Sequence, residues 1–137
     1  MASKLELSKA FLHKVNDHLI CLLYKSDFNF DIEDAIETNS AIYKLAEGKP
    51  YIILVDTRGV YGNITNAARK HFVSDEKTKH LKIAGAILID NLPARILARF
   101  YINVNKPHNP VKIFSKKNEA IAWLEKIYST NPLTTET

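Results

Sequence analysis

The sequence predicts an α/β domain with the element order ββαβαβαβα, in which a mixed sheet of about five strands is covered by about four helices. Residues 51–55 and 83–89 are continuous apolar runs, which are typical of parallel strands covered on both faces. Segments with apolar residues at helical spacing separate these runs, and strands that alternate with helices favour a parallel sheet. We expect one domain over residues 1–129, followed by a polar, disordered tail at 130–137.

An antiparallel hairpin is expected at the start of the chain. Leu5 and Leu7 alternate with polar residues, which is the pattern of a half-buried strand. Asn16 and Asp17 tolerate the positive φ of a tight turn, and the second arm follows at Leu19–Tyr24. The first strand is therefore expected to form the antiparallel edge of the sheet.

Capping residues indicate where the first helices begin and end. Asp31 is a good N-cap for the first helix, which Gly48 and Pro50 should end. Thr65 can cap a short second helix, and Ser74 can cap a further turn or two.

The second half of the chain continues the alternation. Pro93 suits the first turn of a third helix over residues 94–104. A last short strand is predicted at Val111–Phe114, and Ser115 should cap the final helix.

Composition limits the classes of function. The 137 residues have a formal net charge of +4 without a basic stripe interleaved with aromatic residues, so we expect no nucleic-acid partner. Cys21 is the only cysteine, which excludes an internal disulfide. The start of the chain lacks a signal-peptide pattern, and no apolar run is long enough to span a bilayer, so we predict a cytoplasmic protein without a transmembrane segment. No set of side chains has the spacing of a metal site, and no cofactor is expected.

Two aspartates follow the apolar runs, at the edge where the sites of open α/β sheets gather: Asp56 and Asp90. Asp56 and Arg58 are therefore candidate site residues. Asp56 either fixes the strand-end loop by accepting hydrogen bonds from loop amides, or belongs to a catalytic centre. Because no Ser or Cys has an identifiable base and no carboxylate pair is evident, we expect a protein that is not an enzyme.

The third predicted helix is more apolar than packing on a sheet requires. At about 100° per residue, Arg95, Arg99 and Asn103 share one narrow stripe, and the other positions are apolar. The apolar arc is roughly twice the width that a sheet-packed helix needs. Burial in the domain's own core, a homodimer interface, or an apolar ligand cleft or membrane contact would each explain it. The apolar face would consist of Leu97, Phe100, Tyr101 and Val104, with Arg95 and Arg99 at its rim.

Several segments resemble STAS domains, the fold of the anti-sigma-factor antagonists. They are YIILVDTRGV at 51–60, GNITNAARKHF at 62–72, AGAILID at 84–90, PVKIF at 110–114 and EAIAWL at 119–124. The chain looks most similar, over residues 4–128, to the bacterial SpoIIAA-like branch, which is often grouped with STAS and CRAL-TRIO-type domains. The resemblance implies a SpoIIAA/STAS-like version of the predicted α/β fold.

The resemblance implies two kinds of function. STAS antagonists bind a partner kinase and are switched by phosphorylation of a Ser or Thr at the N-terminus of a helix after the central strand. Thr65 is the matching hydroxyl, besides its predicted role as a helix cap. We therefore expect a non-enzymatic binding or regulatory module that acts through protein contacts and forms a homodimer through the third helix. The CRAL-TRIO similarity implies the alternative, a carrier or sensor of a small apolar ligand or lipid bound beneath mobile helices.

Overall fold

The computed structural model describes residues 4–25, 28–60 and 62–135 of the chain. In chain order the elements are β1 (Lys4–Glu6), β2 (Ala10–Lys14), β3 (Leu19–Tyr24), β4 (Phe28–Phe30), α1 (Ile32–Ala46), β5 (Tyr51–Asp56), β6 (Gly62–Ile64), α2 (Asn66–Ser74), α3 (Glu76–Lys79), β7 (Lys82–Leu88), α4 (Leu92–Asn105), β8 (Val111–Phe114), α5 (Lys117–Thr130) and α6 (Pro132–Thr135). The helix that the sequence predicts as the third corresponds to α4.

The main sheet is mixed and has six strands in the order β1-β2-β3-β5-β7-β8. β3, β5, β7 and β8 are parallel, and Leu54 in the middle of the sheet lies between Cys21 and Ala86. β1 and β2 extend the β3 edge as antiparallel strands. The predicted parallel core and antiparallel edge are therefore confirmed, with six strands where about five were expected.

The additional strand arises because the predicted first strand is two strands. A tight turn, in which Leu7 N–H donates to the Ala10 carbonyl (2.8 Å), reverses the chain between β1 and β2. The predicted turn between β2 and β3 is present, and Asn16 Oδ1 accepts hydrogen bonds there from the backbone N–H groups of His18 (2.9 Å) and Leu19 (2.8 Å).

A second, small sheet pairs β4 with β6 in parallel. The sequence did not predict it, because strands of three residues are too short to show a periodicity. This sheet leads directly into the first turns of α1 and α2, and so brings the N-termini of these helices together.

Helices cover both faces of the main sheet. On one face, α1 and α2 pack on a core that includes Leu12, Leu22 and Ile53. α5 covers the opposite face, where Ala120 and Leu124 pack against the inner strands. α4 lies on the same face as α1 and α2 and packs against β8 and α2.

The predicted caps of α1 and α2 are present. Asp31 and Asp34 form a capping box at the start of α1, and the Thr65 side chain caps α2. The chain leaves α1 in the left-handed conformation at Glu47 (φ 54°) and at Gly48 (φ 74°), where a glycine avoids the steric penalty of a Cβ.

Two other predicted caps were wrong by one residue. Asp75, not Ser74, caps α3, because its carboxylate accepts a hydrogen bond from a first-turn amide (3.2 Å). Ser74 is instead the last residue of α2, and its hydroxyl donates to the Lys70 carbonyl (2.8 Å). The N-cap of α5 is Lys116 rather than Ser115, and its side chain makes no capping hydrogen bond.

The C-terminal segment contains a short helix, α6 (Pro132–Thr135), within the part of the chain for which the sequence predicts a disordered tail, 130–137. Asn131 Oδ1 accepts from Leu133 N–H (2.9 Å), and this hydrogen bond fixes the first turn. Residues 136 and 137 lie outside the described residues. Of the helices in the described ranges, none combines the length and apolar character needed to cross a membrane.

Candidate functional site

Helix α4 covers the sheet loosely. None of its residues, all of which the structure describes, is buried. One side of the helix presents an outer stripe of apolar side chains that are 57–66 % exposed: Leu92, Ile96, Phe100 and Val104. These positions are four residues apart, so their side chains form one continuous row along the helix.

A cavity of about 370 Å³ lies between the inner side of α4 and the sheet, and it is open to solvent along part of its rim. The floor includes Ile53 and Val55 of β5 and Ile87 of β7, and α2 contributes Phe72. The roof consists of residues of α4: Ala94, Leu97, Ala98, Tyr101 and Ile102. The size of this cavity and its apolar lining are those of a small-molecule site, which typically measures about 300–1,000 Å³.

Small residues on both walls explain why this space is not filled. Gly85 occupies the middle of β7 on the cavity side, and α4 contributes only Ala94 and Ala98 at two of its lining positions. Side chains of this size cannot close the distance between a strand and a helix, so a cavity remains unless another group occupies it.

Lys82, at the first position of β7, lies on the floor of the cavity. Its side chain runs over Gly85, because a Cβ built on Gly85 would lie 3.2 Å from Lys82 Cε and 3.4 Å from Nζ. The structure gives the ammonium no hydrogen-bond or ion-pair partner among the described residues. Burial lowers the pKa of Lys82 from 10.5 to about 8, because desolvation disfavours the charged form.

A second cation connects α2 with α4 at the side of the cavity. The guanidinium carbon of Arg69 lies 3.4 Å from the centroid of the Tyr101 ring, which is a cation–π contact. Arg69 Nη1 also donates to the Ile64 carbonyl. Its Nε is buried and has no partner within the described part of the chain.

The charges around the cavity have one sign. Among the described residues that line it, the Lys and Arg side chains are Arg69, Lys79 and Lys82, and none is Asp or Glu. Lys79 differs from Lys82 because its ammonium lies 3.2 Å from the carboxylate of Glu76. The cavity therefore combines apolar walls with a positive potential.

The structure divides the predicted apolar face of the third helix between two surfaces. Leu97 and Tyr101 line the cavity, whereas Phe100 and Val104 belong to the outer stripe. The rings of Phe100 and Tyr101 meet edge to face, with their centroids 5.7 Å apart, at the boundary between the two. The excess apolar arc of this helix thus faces a cavity on one side and solvent on the other.

The two predicted rim arginines also lie in different surroundings. Arg99 is exposed and lines a shallow groove with Lys112 and Ile113 of β8. Arg95 is half-buried, one turn closer to the start of α4. Neither lines the cavity.

Asp56 and Arg58 pair with each other at the end of β5. Asp56 Oδ1 accepts hydrogen bonds from the backbone N–H and Nε of Arg58, and Oδ2 accepts from Nη2, each at 3.0 Å. Burial pushes the pKa of Asp56 upward, but these hydrogen bonds and the guanidinium charge outweigh it and hold the pKa below 3.8. The same pair raises the pKa of Arg58. This geometry suits the bracing of a loop better than general base catalysis.

Thr65 connects the N-termini of two helices. Its hydroxyl accepts from Ala68 N–H (3.2 Å) as the N-cap of α2 and donates to Asp31 Oδ1 (3.0 Å), the N-cap of α1. A phosphate on Thr65 would stand beside the Asp31 carboxylate, and their repulsion would oppose the favourable field of the helix N-terminus. The role of Thr65 as a cap is confirmed, and its role as a phosphorylation switch stays a prediction.

Sequence reasoning missed the two cavity cations, Lys82 and Arg69. One signal was available, because a glycine inside an apolar strand, here Gly85, often marks a place where a ligand approaches the backbone closely. As for metals, the described residues contain no group of three His, Cys, Asp or Glu side chains that could hold an ion.

Comparison with known proteins gives the fold and the family. An uncharacterised DUF3478-family protein from Shewanella loihica PV-4, whose crystal structure is described as having a SpoIIAA-like fold, matches with a TM-score of 0.58 and 14% identity, covering 90% of this chain and 92% of that chain. The predicted SpoIIAA-like fold is therefore confirmed. A search of curated proteins gave no match. A family model matches residues 13–128, and the chain belongs to that family, the Domain of unknown function DUF7793.

Proposed function

We propose that this protein is a non-enzymatic carrier or sensor that binds one small, mainly apolar molecule between α4 and the sheet. The cavity of about 370 Å³ beneath α4 is the observation that carries the proposal. An engineered apolar cavity of about 150 Å³ accommodates benzene. By proportion, this cavity has room for a molecule of about fifteen non-hydrogen atoms.

The walls provide a reason for binding. A ligand that covers Ile53, Val55 and Leu97 removes apolar surface from water, which contributes about 25 cal/mol per Å². It also supplies dispersion contacts that the lining atoms lack while the cavity is empty. Because α4 has no buried residue, the helix can move outward without exposing the main core, which provides a way in. This agrees with the apolar ligand that the CRAL-TRIO resemblance implies.

Native mass spectrometry of gently purified protein tests the proposal. We expect a bound small molecule in the wild type and its loss in Ala98→Phe, because the new ring would fill the space under α4. Ala122→Phe on the exposed side of α5 is the matched control and should retain the ligand. The same adduct in the wild type and in Ala98→Phe would contradict the site. So would a wild type without any adduct that also shows no thermal shift with dodecan-1-ol.

The outer stripe of α4 favours a second candidate function, self-association into a homodimer that acts as a regulatory module. Leu92, Ile96, Phe100 and Val104 form a continuous exposed row, and such a row is typical of an interface rather than of scattered surface residues. Packing against the same row of a second copy would remove it from water.

Sedimentation velocity at micromolar concentration tests the dimer. We expect a dimer for the wild type and a folded monomer for Phe100→Asp, because a carboxylate in the middle of the row opposes its burial. Val15→Asp, at an exposed apolar position in the turn after β2, should leave the dimer intact. A wild type that remains monomeric at all concentrations would exclude this candidate without affecting the ligand site.

A further inference from the structure

Lys82 is the feature of the cavity that a purely apolar ligand leaves unexplained. Its ammonium lies over Gly85 on the cavity floor and has no partner in the described part of the chain. A charge in mostly apolar surroundings is disfavoured unless an opposite charge or a hydrogen bond compensates it. An uncharged hydrocarbon would destabilise the charged ammonium further, because it would displace the water that can reach the ammonium through the open rim.

The other elements around the cavity do not supply the missing negative charge. The described ionisable side chains that line it besides Lys82 are Tyr24, Tyr51, Arg69, Lys79, Tyr101 and His108. Burial raises the pKa values of Tyr24 and Tyr51, which keeps both phenols neutral. Since none of these side chains is a carboxylate, the described lining offers the ammonium no compensating anion.

We propose, on the basis of the function proposed above, that the ligand is an anionic amphiphile whose carboxylate pairs with the Lys82 ammonium while its hydrocarbon body fills the space beneath α4. A hydrogen bond between an ammonium and a carboxylate is among the stronger ones in proteins, and it gains strength where water is excluded. Arg69 is held by the Tyr101 ring and the Ile64 carbonyl, although its Nε has no partner among the described residues, whereas the Lys82 ammonium makes neither kind of contact.

The topology gives the orientation of this ligand. Lys82 begins β7, and α4 runs from the end of β7 back toward the start of β8, antiparallel to the strands. The Lys82 side chain reaches along the cavity floor to Gly85, so the carboxylate lies over the middle of β7. The hydrocarbon extends toward Ile87 and toward the first half of α4, at Ala94 and Leu97. Dodecanoate has about the size that the volume allows.

Isothermal titration calorimetry with three probes below their micelle concentrations tests the proposal: dodecanoate, dodecan-1-ol and dodecylammonium. For the wild type at pH 7 we expect dodecanoate to bind at least about tenfold more tightly than dodecan-1-ol, since a charge-assisted hydrogen bond is typically worth that factor or more. Dodecylammonium should bind most weakly. In Lys82→Met the two affinities should come within about twofold of each other, whereas Lys126→Met, at an exposed position of α5 outside the cavity lining, should retain the preference for the anion.

Each outcome separates this inference from the proposed function. Equal affinities of the wild type for dodecanoate and dodecan-1-ol would overturn the inference and leave the apolar site intact. A preference for dodecanoate that persists in Lys82→Met would overturn the assignment to Lys82. Failure of all three probes to bind the wild type would overturn the proposed function, and the inference with it. Lys82→Gln, with a neutral polar side chain of similar length, serves as a second variant if Lys82→Met binds none of the probes.

Discussion

Replacing Lys82 by Met should make the empty protein more stable at neutral pH, although the residue belongs to the candidate site. Burial lowers the pKa of Lys82 from 10.5 to about 8, and each pH unit of that difference corresponds to about 1.4 kcal/mol. The folded state is therefore destabilised by up to about 3 kcal/mol when this ammonium is charged. Because Lys82 keeps part of its surface in contact with solvent in the open cavity, we expect Met to recover about 1–2 kcal/mol of that penalty.

The pH dependence of this gain follows from the same pKa. Below pH 8 Lys82 is protonated in both the folded and the unfolded state, so the penalty is complete. Between pH 8 and 10.5 the folded protein releases the proton that the unfolded chain still holds, so the wild type gains stability as the pH rises. The advantage of Lys82→Met is therefore largest below pH 8 and decreases above it.

Urea unfolding of the wild type and Lys82→Met, at about pH 7 and about pH 10, measures both effects. The difference between the two proteins cancels the contributions of Tyr24 and Tyr51, which both contain. Lys79→Met is the control, since that ammonium pairs with Glu76 at 3.2 Å, and its stability should stay within about 0.5 kcal/mol of the wild type. A destabilised Lys82→Met protein, or the same gain at both pH values, would refute the reasoning.

Three further predictions concern the strand-end loop, the helix caps and α4. Thr65→Ala should lower the free energy of unfolding by about 1 kcal/mol because α2 loses its N-cap, while Thr65→Ser should not; equal urea midpoints would contradict this. Asp56→Asn should be less stable than the wild type at pH 7. This deficit should disappear in acid titrations monitored by circular dichroism as the pH falls through the lowered pKa of Asp56, because the bonds with Arg58 stabilise only the ionised form; a deficit that does not change with pH would count against the brace. Amide hydrogens of α4 should exchange faster than those of α5, since only α5 contains buried residues, and equal protection would mean that α4 is not loosely held.

Signals that depend on a few neighbouring residues predicted most of the fold. The cap at Asp31 and the apolar run of β5 are of this kind, and both predictions were correct. The N-cap of α3 was predicted wrongly because two adjacent residues, Ser74 and Asp75, are both good N-caps. Only the length of α2 decides which of them takes that position. The sequence also failed at Leu7, where the chain reverses without Gly, Pro or Asn.

The candidate site was predicted in part. Helical spacing indicated that α4 has more apolar surface than a sheet can cover, and it named Leu97 and Tyr101, which the structure places in the cavity lining. It could not show which side of the helix faces a cavity, since a cavity depends on what lies opposite. Here the opposite wall is β7, where Gly85 leaves space and Lys82 occupies part of it. These residues are more than ten positions away from Leu97 in the sequence, and only the parallel sheet brings them under α4.

The stability prediction and the binding prediction for Lys82 have opposite signs, and a protein that meets both would exclude a purely structural role for this residue. A lysine that merely fills space should be replaceable by Met without effect on the choice between dodecanoate and dodecan-1-ol. If Lys82 instead paired with an acidic side chain of the protein, Lys82→Met should destabilise the folded state, because that acidic side chain would then be buried without a partner. An ammonium that destabilises the empty protein and is compensated by a bound carboxylate predicts that Lys82→Met gains stability and loses selectivity. Since ligand binding stabilises the folded state and the wild type binds dodecanoate more tightly, saturating dodecanoate should also narrow the difference in stability between the two proteins.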